Sequence, residues 1–403
     1  MMSNFINNVS INDDGDLFTV SLDSGIRIYS MEPLVGKEFI DSNVMGSVSI
    51  CKLLSRTNLI AIVGGGTQPK FADNTLLIWD DSLKKFVLEF TFATRVLSVV
   101  LRRDRLFVAE RFRINCFSFP NSPKKLFGLE TRDNPDGIFT VNTLNNAAEI
   151  QLLAYPGHRI GSVQLLDLKY ANSTQPQSSE QQSPLQNVTT LLEKQISNSL
   201  HQIEINDLSA VSSSISPCSL SAHTSEIACL ALNQNGTLLA TASRKGTLIR
   251  IFRTIEMDTP SSIIADENRT VLNPQQLIEF RRGIDQALVY CIVFSADSDY
   301  LLVSSDKGTV HIFALKELQY NKRSSISSVP LVNINFSNYA LTKFTVTAEC
   351  ACVCCFGPDP HSVYAVCFDG TFHKYHFKNE GTCVRDNFDN FLDVPIENDH
   401  ILL

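Results

Sequence analysis

Apolar residues recur along this chain in short bursts separated by Gly, Asn or Asp turns, and the three-to-four spacing of a helix is almost absent. The recurring unit is an apolar strand, a tight turn, and a second strand ending in aromatic or branched residues, which predicts a β-hairpin. The first runs from Gly15 to Tyr29 and turns at Ser24-Gly25. The second runs from Asn58 to Trp79 through Gly64-Gly65-Gly66 and Pro69, and the third from Arg105 to Phe119 near Arg111. A fourth covers Ile150 to Leu168 and turns at Arg159-Ile160-Gly161. Three cleaner copies follow: Leu238 to Phe252 (Lys245-Gly246), Tyr300 to Phe313 (Lys307-Gly308) and Ser362 to Phe377 (Asp369-Gly370). Gly246, Gly308 and Gly370 are spaced by 62 residues each time.

Seven such hairpins in series predict an all-β, seven-bladed β-propeller of the WD-repeat type, because a ring of four-stranded blades protects nearly every sheet edge. The other strand pair of each blade falls in the less regular sequence between hairpins. A stretch at 171–217, rich in Ser, Gln and Asn, fits no blade and is expected to be a flexible insertion; Leu191–Leu200 within it is the one short helical pattern. The last residues, 384–403, are expected to form a loose tail.

Composition narrows the function. Of 403 residues, 44% are hydrophobic, enough for one large core. The net charge of −8 gives no general attraction to nucleic acid or anionic membrane, so any bound anion must be held locally. No uninterrupted apolar run reaches the ~18 residues of a spanning helix, and Met1–Ser10 lacks a basic-then-apolar leader, so a cytoplasmic monomer is expected. Eleven cysteines suit a reducing compartment with free thiols. The run Cys350, Cys352, Cys354, Cys355 lacks the usual zinc spacing, its first three members share a strand face, and packing is expected rather than a metal. Gly64-Gly65-Gly66 is not followed by a phosphate-loop lysine. No nucleophile elbow, zinc-protease helix or kinase motif set occurs, and no enzyme or cofactor is expected.

Candidate chemistry gathers around Phe280-Arg281-Arg282-Gly283, between the fifth and sixth hairpins. Adjacent side chains on a strand point oppositely, so two neighbouring arginines can serve two sites, one on each side. Upstream stand His223, Ser243, Lys245, Thr247 and Arg250; downstream stand Ser304, Ser305, Lys307, Thr309 and His311. The sets correspond through the repeat, Ser243 with Ser305, Lys245 with Lys307, Thr247 with Thr309. Guanidinium forks, hydroxyls and imidazoles suit a phosphorylated sugar ring. The structural alternative is that the hydroxyls brace turns, the lysines are solvated tips, and His223 bonds within its blade as WD-type histidines do.

Phe280-Arg281-Arg282-Gly283 resembles the diagnostic motif of the PROPPIN (WIPI) family. Val63-Gly64-Gly65-Gly66, Pro69-Lys70-Phe71, Leu77–Asp81, Thr131–Pro135, Tyr155–His158 and Ser304–Leu315 resemble the branch of the third and fourth human WIPI proteins. The resemblance implies a non-enzymatic autophagy effector that reads phosphatidylinositol 3-phosphate and phosphatidylinositol 3,5-bisphosphate on phagophore membranes. It implies one pocket around Arg281 with His223, Ser243, Thr247 and Arg250. A second pocket would hold Arg282 with Ser304, Ser305, Thr309 and His311. An apolar loop with Leu331, Val332, Ile334 and Phe336 would enter the bilayer. Asn12 and Asp14 would contact a lipid-transfer protein bridging endoplasmic reticulum and phagophore. The competing function is a protein-interaction scaffold without specific lipid binding.

Overall fold

The computed structural model describes residues 5–143, 150–169, 201–203, 217–255, 272–322 and 338–397. Seven sheets, each built on four antiparallel strands, stand in a ring in chain order, and those of blades two and five carry a fifth, parallel strand. Each predicted hairpin supplies the two middle strands of a blade, as in Leu238–Ser243 with Leu248–Ile255 and Tyr300–Ser305 with Thr309–Ala314. The middle strands are buried on both faces and therefore read as near-continuous apolar runs, LFTVSL and SVYAVC among them. In every blade the turn from the innermost strand is closed by a backbone bond such as Asn12 N–H to Leu17 O, Asn233 to Leu238, or Ser295 to Tyr300.

The core is a series of apolar layers between neighbouring blades. Phe280, Ile249 and Ile251 of blade five pack against Leu301, Val303 and Phe313 of blade six. Val310 and Ile312, on the opposite face of blade six, pack against Cys352, Ala365 and Cys367 of blade seven. These layers fix which way every side chain near the arginine pair points.

Two expectations about the chain's irregular parts change. The segment from 384 is not a loose tail: Cys383–Asn390 is the outermost strand of blade seven. Beyond it Phe391 is fully buried against Phe18 and Tyr29 of blade one. Leu392 O accepts from Arg27 at 2.8 Å, and Glu397 N–H donates to Gly36 O at 2.8 Å. Blades one and seven each come from one continuous stretch, so this strap closes the ring. The insertion at 171–217 lies mostly outside the described residues, including Leu191–Leu200. Within it, His201–Ile203 pairs in parallel with the outer strand of blade two.

Candidate functional site

The outer strand of blade five, Leu272–Arg281, ends opposite Leu248, and the next residue, Arg282, donates its N–H to Thr247 O at 2.9 Å. Other blades repeat that bond just after the outer strand, with Phe92, Thr131, Val346 and Phe391 in the place of Arg282. Phe92, Val346 and Phe391 are apolar and buried in the inter-blade layers. Arg282 occupies the same kind of position and is only 8% exposed. A buried guanidinium is costly unless its donors are satisfied. Its Nε donates to Gly246 O at 2.5 Å, and an Nη donates to Asp285 O. Burial lowers its pKa, opposed by the Asp306 and Asp285 carboxylates nearby.

The strand alternation separates the two arginines as the sequence predicts. Phe280 faces blade six, so Arg281 lies on the side that looks toward blade four. Arg281 is half-buried, and among the described residues its guanidinium makes no hydrogen bond or ion pair. On the same side, Arg250 donates Nε to Glu279 at 2.8 Å and Nη to Ala222 O at 2.6 Å. His223, 7% exposed, has Nε2 2.8 Å from Thr241 Oγ1, whose hydroxyl bonds Arg250 O. Burial, reinforced by Arg250, pulls His223 down to about 4. Ser243 is buried on the same strand face as Thr241.

On the other side, Ser305 lies on the face that Leu301 and Val303 turn toward blade five, and its buried Oγ has no partner among the described residues. Thr309 and His311 share that direction with Phe313. His311 is near enough to Arg282 that the guanidinium, after burial, helps hold its pKa down at about 3. Arg282, Ser305, Thr309 and His311 are therefore brought together between blades five and six.

Several expected members do not join. Ser304 faces blade seven, fully buried, with Oγ donating to Cys352 O at 2.8 Å; the alternation that aims Ser305 at Arg282 aims its neighbour away. Asn12 is a buried turn brace: its Oδ1 accepts from Asp16 and Leu17 N–H, and its Nδ2 donates to Asp16 at 2.7 Å. Asp14 is exposed. Gly283 has open space around a notional Cβ and needs no left-handed backbone; Gly246 does, at φ 61°, and a Cβ there would meet Ala287 O. Leu331, Val332, Ile334 and Phe336 lie outside the described residues. The chain re-enters at Asn338–Tyr339, which pairs in parallel with Phe280–Arg281.

Sequence reasoning missed Thr241 and Glu279. Glu279 stands two residues before Arg281, hence on its side of the strand, and that spacing was available in the sequence. Thr241 likewise stands two before Ser243. A cleft among the connections of blades three to five also holds arginines, but Arg132 and Arg244 are paired there with Glu226 and Asp136. Among the described residues no helix is long and apolar enough to cross a membrane.

The fold and this rim define a WD-type propeller whose fifth blade ends in two oppositely directed arginines. Comparison with known proteins gives the lineage. Residues 195–344 match the PROPPIN family. SVP1-like protein 2 of Pichia angusta is 30% identical over 336 residues, covering 82% of this chain and 77% of the relative. SVP1-like protein 2 of Debaryomyces hansenii is 31% identical, over 77% of this chain and 66% of the relative's length. Autophagy-related protein 18e of Arabidopsis thaliana is 28% identical over 89% of this chain and 80% of its own. The solved complex of KlAtg21 with the coiled-coil of AgAtg16 shares the fold, with TM-score 0.67, 21% identity, and coverage of 96% of this chain and 99% of that one. The chain belongs to the PROPPIN family.

Proposed function

We propose that this protein is a non-catalytic, peripheral membrane effector of autophagy that reads 3-phosphorylated phosphoinositides through two rim pockets. The ligands are phosphatidylinositol 3-phosphate and phosphatidylinositol 3,5-bisphosphate. Arg281, with His223, Ser243, Thr247 and Arg250, forms the first pocket. Arg282, with Ser305, Thr309 and His311, forms the second. The observation that carries this reading is Arg282 itself: a buried cation where blades two, six and seven bury Phe or Val, answered by carbonyl oxygens rather than by a carboxylate. That arrangement retains positive potential toward the unpartnered Ser305 hydroxyl.

Each charge-assisted bond contributes roughly 1.5–3 kcal/mol, so one exposed pocket holds a head group only moderately. Two pockets on one membrane make the second event intramolecular and raise avidity by about 10²–10⁴. With Asn12 committed to its turn, Asp14 is the remaining member of the pair proposed to contact the lipid-transfer protein.

Vesicle flotation tests the reading. Wild-type protein is expected to float with vesicles carrying either 3-phosphorylated lipid and not with phosphatidylserine vesicles of equal charge. Arg281→Thr and Arg282→Thr each weaken flotation, and together they abolish it, with circular dichroism unchanged. Full flotation of the folded double variant counts against the assignment, as does equal binding to phosphatidylserine, which would leave a general scaffold.

A further inference from the structure

The 62-residue repeat that aligns Ser243 with Ser305 and Lys245 with Lys307 has a third copy in blade seven. There the hydroxyl position is Cys367 and the turn lysine is Asp369. A pair that favours anions is replaced by one that favours cations. The change is more than local, because Cys350 also reaches this turn. One ligand-type atom from each of Cys350, Cys367 and Asp369 lies within 4.8 Å of the other two. Cys352 stands directly opposite Cys367 in the strand register, and Cys354 Sγ is 3.7 Å from Cys352 Sγ.

We propose that Cys350, Cys352, Cys367 and Asp369 form a binding site for a thiophilic divalent cation of the zinc class. Zn–S bonds of about 2.3 Å in a tetrahedron put ligand atoms roughly 3.8 Å apart, so the Cys350, Cys367 and Asp369 atoms need to draw in by only about an ångström. Packing accounts for Cys352 and Cys354 in the apolar layer toward blade six, whereas Cys350 and Asp369 stand at its solvent edge, where a cation can reach thiol and carboxylate together. The carboxylate is oriented in advance: Asp369 Oδ1 accepts from Thr371 N–H at 3.0 Å and from Thr371 Oγ1 at 2.6 Å. Such outer hydrogen bonds are what hold a ligating carboxylate in place. Access is from solvent, since Asp369 is exposed and Cys350 half-buried, while Cys352 and Cys367 are enclosed. The spacing rule applied to the cysteine run alone gives no such site, because Cys367 and Asp369 arrive from the neighbouring strand and its turn. On binding, the thiols ionise and release their protons to solvent.

Cobalt(II) is the probe, added to the full chain after reduction and metal removal. A sulfur-to-cobalt charge-transfer band saturating at one ion per chain, and reversed by one equivalent of zinc, is expected. Cys367→Ser and Cys350→Ser lose most of the band, and Asp369→Asn, which can still brace the turn, weakens zinc at least about tenfold. Cys355→Ser, on the opposite strand face toward blade one, leaves the titration unchanged. No band in the wild-type chain overturns the proposal, and so does a band that survives in folded Cys350→Ser and Asp369→Asn. Should Cys367→Ser fail to fold, those two variants carry the decision.

Discussion

Arg282 and the two histidines place polar groups where a propeller ordinarily packs apolar side chains, and the proposed function makes those positions binding positions. His223 and His311 are both buried beside an arginine, and both are held far below the ordinary histidine value of about 6.5. They are neutral at neutral pH and act as polar ring contacts, not as added positive charge. The sign of the linkage follows: the unfolded chain takes up protons near pH 6.5 while the folded chain does not. Stability is complete above that pH and is lost as the pH falls toward about 4 for His223 and about 3 for His311. Thermal melts between pH 7.5 and 4 should therefore show a progressive loss. His223→Asn should flatten part of that slope; a variant with the wild-type slope would show that His223 is not the group responsible. The residue scale is also where sequence reading worked unevenly. The split of Arg281 from Arg282 followed from strand alternation. Ser304 failed by the same rule, since it cannot share a side with Ser305. Asn12 failed because a polar residue at a turn reads alike whether it braces the backbone or meets a partner.

At the scale of elements, the hairpins were legible because the middle strands of each blade are buried on both faces and bounded by turn residues. The closing strand was not legible. Cys383–Asn390 reads CVRDNFDN and is almost wholly exposed, so neither alternation nor an apolar run marks it. Its importance lies one residue further, where Phe391 packs edge-on against the stacked rings of Phe18 and Tyr29. Phe391→Ala should cost about 3–5 kcal/mol, the usual range for a buried phenylalanine, and should lower the urea midpoint. Removing residues 384–403 should open the ring between blades one and seven and raise amide exchange in the Gly25–Met31 strand. Unchanged exchange there would mean that the strap is not what closes the propeller.

Taken whole, the molecule sets a local cationic edge on an acidic body. The net charge of −8 gives no general pull toward an anionic surface, which suits selection of one head group over charge density. In the proposed reading, Arg281 and Arg282, on opposite sides of one strand end, serve two pockets along a single stretch of rim, so one bilayer can meet both. The seven-fold repeat made this architecture readable from sequence. It also made the exceptions readable: an arginine where Phe or Val recurs, and a thiol and carboxylate where Ser and Lys recur. The tertiary partners of those exceptions, the Gly246 and Asp285 carbonyls for Arg282 and Cys367 for Cys350, depend on neighbouring turns and strands and were not visible without them. The most direct test is a count of head groups. Calorimetric titration with soluble inositol 1,3-bisphosphate should give two sites per wild-type chain and one in folded Arg282→Thr. A single site in the wild type, or two sites that persist in Arg282→Thr, would contradict the account.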